Sequence, residues 1–418
     1  MADTGSLASR FPYQPAKSLK NFAAAVHKDQ VCVAFGERSV PKLATLLTNA
    51  ELGAEKRALA LELLRDILSS QERKTRAVDS GVVESCTALV DGSRGGTAAV
   101  RALAAEVLSS LSTVLQGRRR FLGAGTLPVL AGTLAGDGNE RRVRECATLA
   151  LQNVARFRDG ARSIAASESG RLVAQLVEGM LDGNVAGEPS PLVTLRVVTT
   201  LADVTQYSPG VEQALSAGVV PQLMRALALP GQSPALPLKA IVALWNVAQL
   251  PKGKKLAIAA GAVATIANVT RFADNSAPDY EEVLRCGAGA LNALAINEKG
   301  KVAMQHADVV AALRSLVLGE GVSAEARKNA VSAIYAASEH PDVRRCYIRA
   351  LVADGDALDT VFGTAAAHFL NDLLVDDDAG MRMHSSAALA AMTSATEEGR
   401  EGAWHLLLVV KCCRRCAG

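Results

Sequence analysis

The 418 residues suffice for two or three compact domains or one long array of repeats. Aromatics are only 4% against 49% hydrophobic residues, with alanine and leucine dominant, which argues against a β-rich core and for helix. The net charge is +3, and Lys411, Arg414 and Arg415 in the last eight residues account for all of it, which excludes a global basic field for nucleic acid.

Residues 1–30 carry Phe11, Pro12, Tyr13 and Pro15 and read as a flexible arm. Met1 to Lys17 lacks the apolar core of a signal peptide, and no stretch of eighteen or more apolar residues is free of charge, so no membrane segment is expected. Cys32, Cys86, Cys146, Cys286 and Cys346 lie singly in apolar helical contexts, the usage of buried free thiols in a reducing compartment. A cytoplasmic or cytoskeletal location is expected.

From residue 60 onward one helical stripe recurs: a small residue, then apolar residues at +3, +4, +7 and mostly +8. It runs Ala60, Leu63, Leu64, Ile67, Leu68, and then starts again at Ala104, Ala147, Val197, Ala240, Gly287, Ala330 and Ser385. The +4 anchor is Leu64, Leu108, Leu151, Leu201, Leu244, Leu291, Ile334 and Leu389, at separations of 44, 43, 50, 43, 47, 43 and 55 residues. A second signal shares the period. Gly81, Gly125, Gly218 and Gly261 each precede an apolar pair, and Gly170 fits more loosely. Such a glycine ends one helix in the left-handed conformation, and the proline that follows at Pro128 and Pro221 is tolerated in the first turn of the next.

Each unit therefore reads as a short first helix, a sharp turn, a second helix, a loop and a long third helix. Around the fifth anchor these are a second helix over 219–229, a third over 236–250 and the next first helix over 253–260. Polar loops at 184–191 and 271–279 account for two of the longer separations, and residues 354–367 for the longest. Three helices in about 43 residues is the armadillo pattern. The expected fold is all-α: a right-handed superhelical armadillo-repeat solenoid of about eight repeats over 31–405. Stacked neighbours share one core, with a C-terminal cap and Cys/Arg tail over 406–418.

Candidate chemistry is sparse. There is no Walker loop, no Gly-x-Gly-x-x-Gly after a strand and no His-Glu-x-x-His. His27, His306, His340, His368, His384 and His405 are far apart and read as ordinary surface or interface residues rather than metal ligands. Ser385-Ser386 has no nearby base. The basic run Arg118-Arg119-Arg120 with Arg141, Arg142 and Arg144 reads as a solvated helix face. Cys412, Cys413 and Cys416 read as the end of a capping helix; a redox pair, zinc with His405 and lipidation are the alternatives. No catalysis, cofactor, metal, nucleic acid, membrane or small-molecule substrate is expected.

In armadillo proteins the third helices line the concave face, and an asparagine near the end of each often grips the backbone of an extended ligand. The matching position, two past the anchor, holds Asp66, Ser110, Asn153, Asp203, Asn246, Ala293, Ala336 and Ala391. The phrases Ala-Leu-Gln-Asn153-Val-Ala and Ala-Leu-Trp245-Asn246-Val-Ala match the family well. Asp66, Asn153, Asp203, Asn246 and Trp245 are the candidate partner-binding residues. The asparagines suit either a peptide backbone or a local helix-end bond. The polar series stops after the fifth repeat, which predicts hydrogen bonding to an extended segment over repeats one to five. A bare apolar surface for a helix or domain is expected over six to eight. Nuclear-import adaptors of this fold place tryptophan four residues before that asparagine; Leu149 and Val242 stand there instead.

The phrase Ala34-Phe35-Gly36-Glu37-Arg38-Ser39-Val40-Pro41-Lys42-Leu43 resembles the N-terminal phrase of the axonemal radial-spoke armadillo proteins, the radial spoke head fourteen homologues. A helix over 56–68 and the segment 117–121 follow at similar intervals, and the resemblance extends over roughly 30–400. It implies a non-catalytic scaffold of the radial spoke in cilia and flagella, binding other axonemal subunits. The alternatives are another ciliary armadillo protein, of the central apparatus or a dynein-docking complex, and a soluble transport or signalling adaptor.

Overall fold

The computed structural model describes residues 38–351 and 361, apart from 50, 93–95, 135–140, 168–169, 182–189, 230–232 and 352–360. The arm, the eighth stripe with Leu389 and Ala391, Cys32 and the cysteine tail lie outside the described residues. The chain divides into two compact units, Met1–Gln222 with Ala228–Ser233, and Leu223–Leu227 with Pro234–Gly418.

The first unit contains α1 (Ser39–Thr48), α2 (Ala54–Ile67), α3 (Gln71–Asp79), α4 (Val82–Val90), α5 (Ala98–Leu111) and α6 (Leu115–Gly123). It continues with α7 (Thr126–Gly132), α8 (Arg141–Ala155), α9 (Arg158–Ala165), α10 (Arg171–Glu178), α11 (Pro191–Val204) and α12 (Ser208–Ser216). The division of the chain falls within α13 (Val219–Ala228). The second unit contains α14 (Leu236–Val247), α15 (Pro251–Ala259), α16 (Ala262–Arg271), α17 (Tyr280–Ala295), α18 (Glu298–Ala303), α19 (Ala307–Leu318), α20 (Ala324–Ala337) and α21 (Pro341–Leu351). No strand occurs among the described residues.

Like stacks on like. The third helices α2, α5, α8 and α11 pack in succession, as do α14, α17 and α20. In the first unit the second helices α1, α4, α7 and α10 form another row, and the first helices α3, α6, α9 and α12 a third. The stripe drives this packing. Its anchors Leu64, Leu108, Leu151, Leu201, Leu244, Leu291 and Ile334 are at most 1% exposed, each burial contributing about 1.5–3 kcal/mol. At the sharp turns Gly81, Gly125, Gly170, Gly218 and Gly261 have φ of 60–78°, so all five candidate turn glycines, the loose one included, adopt the left-handed backbone. The connection predicted to be long between α16 and α17 is a non-helical segment over 272–279.

A further periodic glycine stands nine residues past five anchors: Gly117, Gly160, Gly210, Gly253 and Gly300. A Cβ there would strike the carbonyl oxygen of Leu111, Val154, Val204, Val247 or Leu294, the residue three past the anchor. The first helix thus crosses the C-terminal end of the third helix at backbone contact, which only a bare Cα permits. The first repeat has Arg73 at this place, and its Nη1 donates to the Ile67 carbonyl at 3.4 Å instead.

A periodic arginine joins second and third helices. Seven residues before the anchor, Arg57 Nη2 donates to the Asn49 carbonyl at 3.4 Å and Arg101 Nε to Val90 O at 3.1 Å. Arg327 at the same register donates to Val317 O at 2.8 Å and Gly319 O at 3.0 Å. These carbonyls end second helices, where backbone acceptors lack partners and the helix dipole favours a cation.

Candidate protein-binding faces of the third helices

In the first unit the row two past the anchor comprises Asp66, Ser110, Asn153 and Asp203, one on each stacked third helix. Asp66 is exposed and accepts from Arg65 Nε at 3.0 Å. That bond, ahead of burial and of attraction from Asp66 and Glu106, sets the Arg65 guanidinium above its ordinary pKa. Arg65 Nη1 also lies 3.5 Å from Glu106 on α5, and Glu106 pairs in turn with Arg142 on α8. Three successive third helices are therefore tied by one alternating charge chain.

Asn153 Nδ2 donates to Ser112 Oγ at 2.9 Å, and Ser112 Oγ donates to Ser109 O at 2.6 Å. The asparagine that matches the family phrase thus uses one amide hydrogen to tie α8 to the end of α5. Its Oδ1 makes no bond to the described residues and stays available to a ligand. Asp203 and Asn246 are half-buried and both have partners within the protein.

The start of α8 is similarly committed. Glu145 accepts from Arg141 Nε at 2.8 Å and Ser190 Oγ at 2.9 Å, while Arg196 Nη1 on α11 donates to the Glu145 carbonyl at 2.5 Å. Burial pulls the Glu145 carboxyl up, but the bonds from Arg141 and Ser190 outweigh it and hold the group below the ordinary carboxylate range. Arg141 and Arg142 lie on the exposed face expected of them and also pair with Glu145 and Glu106, and Arg144 has a partner as well.

In the second unit the same row comprises Asn246, Ala293 and Ala336. Ala293 is buried and Ala336 half-buried, but the surrounding face is more varied than the bare apolar surface expected. Arg285 pairs with Glu282 at 2.5 Å and with Glu325 of α20 at 3.2 Å, and Asn329 Nδ2 donates to Arg285 O at 3.3 Å. The bond that Arg285 donates to Glu282 is the largest of the influences that raise the Arg285 pKa. Trp245, one past its anchor, lies against Gly289 of α17. A Cβ on that glycine would be 2.6 Å from Cζ2 and 2.7 Å from Cη2 of the indole. The Arg285 guanidinium lies 5.9 Å from the ring centroid. Register explains the arrangement: Trp245 and Gly289 occupy the places that Arg65 and Glu106 take in the first unit. Tyr335, again one past its anchor, is 60% exposed.

Of the cysteines, Cys86, Cys146, Cys286 and Cys346 are free. Burial raises Cys146 to about 11 and Cys286 to about 12, the reverse of a reactive thiolate. Among the described residues there is no cluster of three or more His, Cys, Asp or Glu placed to hold a metal, and no helix is long and apolar enough to cross a membrane.

The chain has an armadillo-type repeat fold, and its solved structural neighbours are armadillo-repeat proteins. An engineered protein is 22% identical over 88% of this chain and 81% of its own, with a TM-score of 0.59. A designed armadillo repeat protein in complex with the peptide (KR)4 is 19% identical over 61% of this chain and 99% of its own, with a TM-score of 0.50. A structure from work on the phosphorylation-controlled interaction between cadherin and beta-catenin is 14% identical over 87% and 79%, with a TM-score of 0.62. At these identities the likeness concerns the fold. No family model and no curated protein matches the sequence.

Proposed function

We propose that this chain is a non-catalytic scaffold that binds other proteins through its third-helix faces, as a subunit of the radial spoke in the ciliary or flagellar axoneme. The observation that carries the scaffold reading is the stacking of third helices within each unit. The first unit's row presents Asp66, Ser110, Asn153 and Asp203, and the second unit's presents Trp245, Asn246 and Tyr335. Extended surfaces of regularly repeated groups suit protein ligands better than a single small molecule. The neighbours favour the same reading, since one is a complex with a peptide and another concerns cadherin and beta-catenin. The axonemal assignment is supported by the Ala34-to-Leu43 phrase. From Ser39 the phrase is the start of α1; Ala34 to Glu37 lie outside the described residues.

High-salt extraction of isolated axonemes tests this reading. A spoke subunit stays with the axoneme under salt that removes peripheral proteins. A pool released freely into the soluble fraction would favour a transport or signalling adaptor.

A further inference from the structure

The fold regroups the two basic runs seen in sequence. Arg141, Arg142 and Arg144 lie on third helix α8 and are engaged internally. Arg118, Arg119 and Arg120 lie on first helix α6, and packing brings a different set of arginines to them. The Arg118 guanidinium lies 3.3 Å from the centroid of the Phe157 ring. Phe157 stands between Arg156 and Arg158 at the entry to α9. Arg118 is fixed in that stack, since its Nη1 donates to Thr113 O at 2.9 Å and Ser112 O at 3.5 Å. Arg162, further along α9, lies 5.9 Å from the Tyr207 ring centroid, and Arg120 pairs with Glu84. Arg119, Arg156 and Arg158 are exposed, and their guanidinium groups have no ion pair or hydrogen bond among the described residues.

We infer that this first-helix edge of the first unit, centred on Arg119, Arg156 and Arg158, is a second docking surface that takes an acidic, partly apolar peptide segment of a partner protein. Segments 115–123 and 156–165 carry six arginines against one carboxylate, Asp159, in a chain whose net charge is only +3. The concentration is therefore local. Glu145 and Glu106 pair with Arg141 and Arg142 of α8, whereas these three are left open. Arginine is the cation whose planar fork matches a carboxylate bidentately.

Three features favour a peptide over nucleic acid. Asp159 is exposed on the same helix and repels a polyphosphate, which carries charge at every step, whereas a peptide can place its acids between such points. Arg118 already covers a face of Phe157, so that face is closed to a stacking base. Leu115 and Phe157 remain 48% and 44% exposed, offering apolar contact beside the arginines. This surface adjoins the end of the third-helix row, since Arg118 and Asn153 both bond to Ser112, at its carbonyl and its hydroxyl, and it does not depend on the spoke reading.

The test uses the full chain and three probes: a fluorescent glutamate-rich peptide with interspersed leucines, a single-stranded DNA oligonucleotide of equal length, and phosphatidylserine vesicles. The peptide should bind at low salt and weaken as salt rises. The variant R119Q/R156Q/R158Q should lose about tenfold in affinity, as expected for three exposed ionic contacts, with an unchanged melt. A control in the second unit, K252Q/K255Q, should bind as the parent does. The inference is overturned if the parent does not bind the peptide, or if the triple variant binds it equally well. It is also overturned if the oligonucleotide or the vesicles bind the parent more tightly than the peptide and lose that binding in the triple variant.

Discussion

Replacing Gly117 by alanine probes how the first helices are seated. A Cβ at this position would overlap the carbonyl oxygen of Leu111, lie 2.8 Å from that residue's carbonyl carbon and 3.4 Å from Val114 Cγ2. The obstruction is backbone at the end of α5 and cannot rotate aside, so α6 has to lift. Phe121, fully buried one turn further on, lifts with it. Overpacking of this kind costs about 1–3 kcal/mol, against which alanine recovers at most about 1 kcal/mol of helix propensity. A backbone obstruction that also displaces Phe121 belongs at the upper end of that cost, which leaves a net loss of about 2 kcal/mol. Gly123, in the same helix, is the internal control, because a Cβ there meets nothing within 4 Å. Gly123→Ala should be neutral or stabilising by up to about 1 kcal/mol. Urea unfolding of both variants beside the parent reads the difference. If Gly117→Ala proves as stable as Gly123→Ala, the close crossing of first and third helices is wrong, and with it the account of the other four periodic glycines.

Gly289→Ala should push the Trp245 indole off α17, shift its fluorescence to the red and cost about 1–3 kcal/mol by overpacking; an unchanged emission spectrum would refute the contact. Asn153→Ala should lower stability by about 0.5–1.5 kcal/mol through loss of its bond to Ser112, and the N153A/N246A double variant should weaken partner binding by about 1–3 kcal/mol. Partner capture by the double variant beside the melts of N153A and the parent separates the two effects. The buried thiols predict alkaline destabilisation. Cys146 at about 11 and Cys286 at about 12 hold protons when folded that the unfolded chain releases near pH 8.5. Their contribution is whole below about pH 8.5 and is lost as pH rises toward those folded values. Urea midpoints should therefore fall between about pH 8 and 10.5, and fall less in C146A/C286A. Identical pH slopes for parent and variant would contradict this.

Much of the fold is written at short range. The stripe on each third helix needs only helical periodicity and burial, so seven of its copies could be placed from residues such as Leu151 and Leu244 alone. The left-handed turns follow from local backbone sterics at glycines such as Gly81 and Gly261. What escaped the sequence reading depends on contacts between helices. Gly117 and its four counterparts are periodic in sequence, but their role appears only once the first helix is laid across the end of the third. Arg57, Arg101 and Arg327 are likewise periodic, but the carbonyls they cap belong to a different helix and are in place only in the folded chain. The site is least legible for the same reason. Ser112 is 41 residues from Asn153, and nothing local signals that the two meet. The regrouping of Arg118 with Arg156 and Arg158 requires the stacking of α6 on α9. Tyr335 could have been found by extending the Trp245 register to the seventh repeat.

The central claim, a scaffold built into the radial spoke, is tested most directly by quantifying a tagged copy of the chain in purified axonemes from normal cells and from mutants that assemble no spokes. The account predicts periodic labelling along normal axonemes, co-sedimentation with extracted spoke particles, and depletion from the spokeless axonemes. Retention at normal levels in spokeless axonemes would contradict it and move the protein to another ciliary complex.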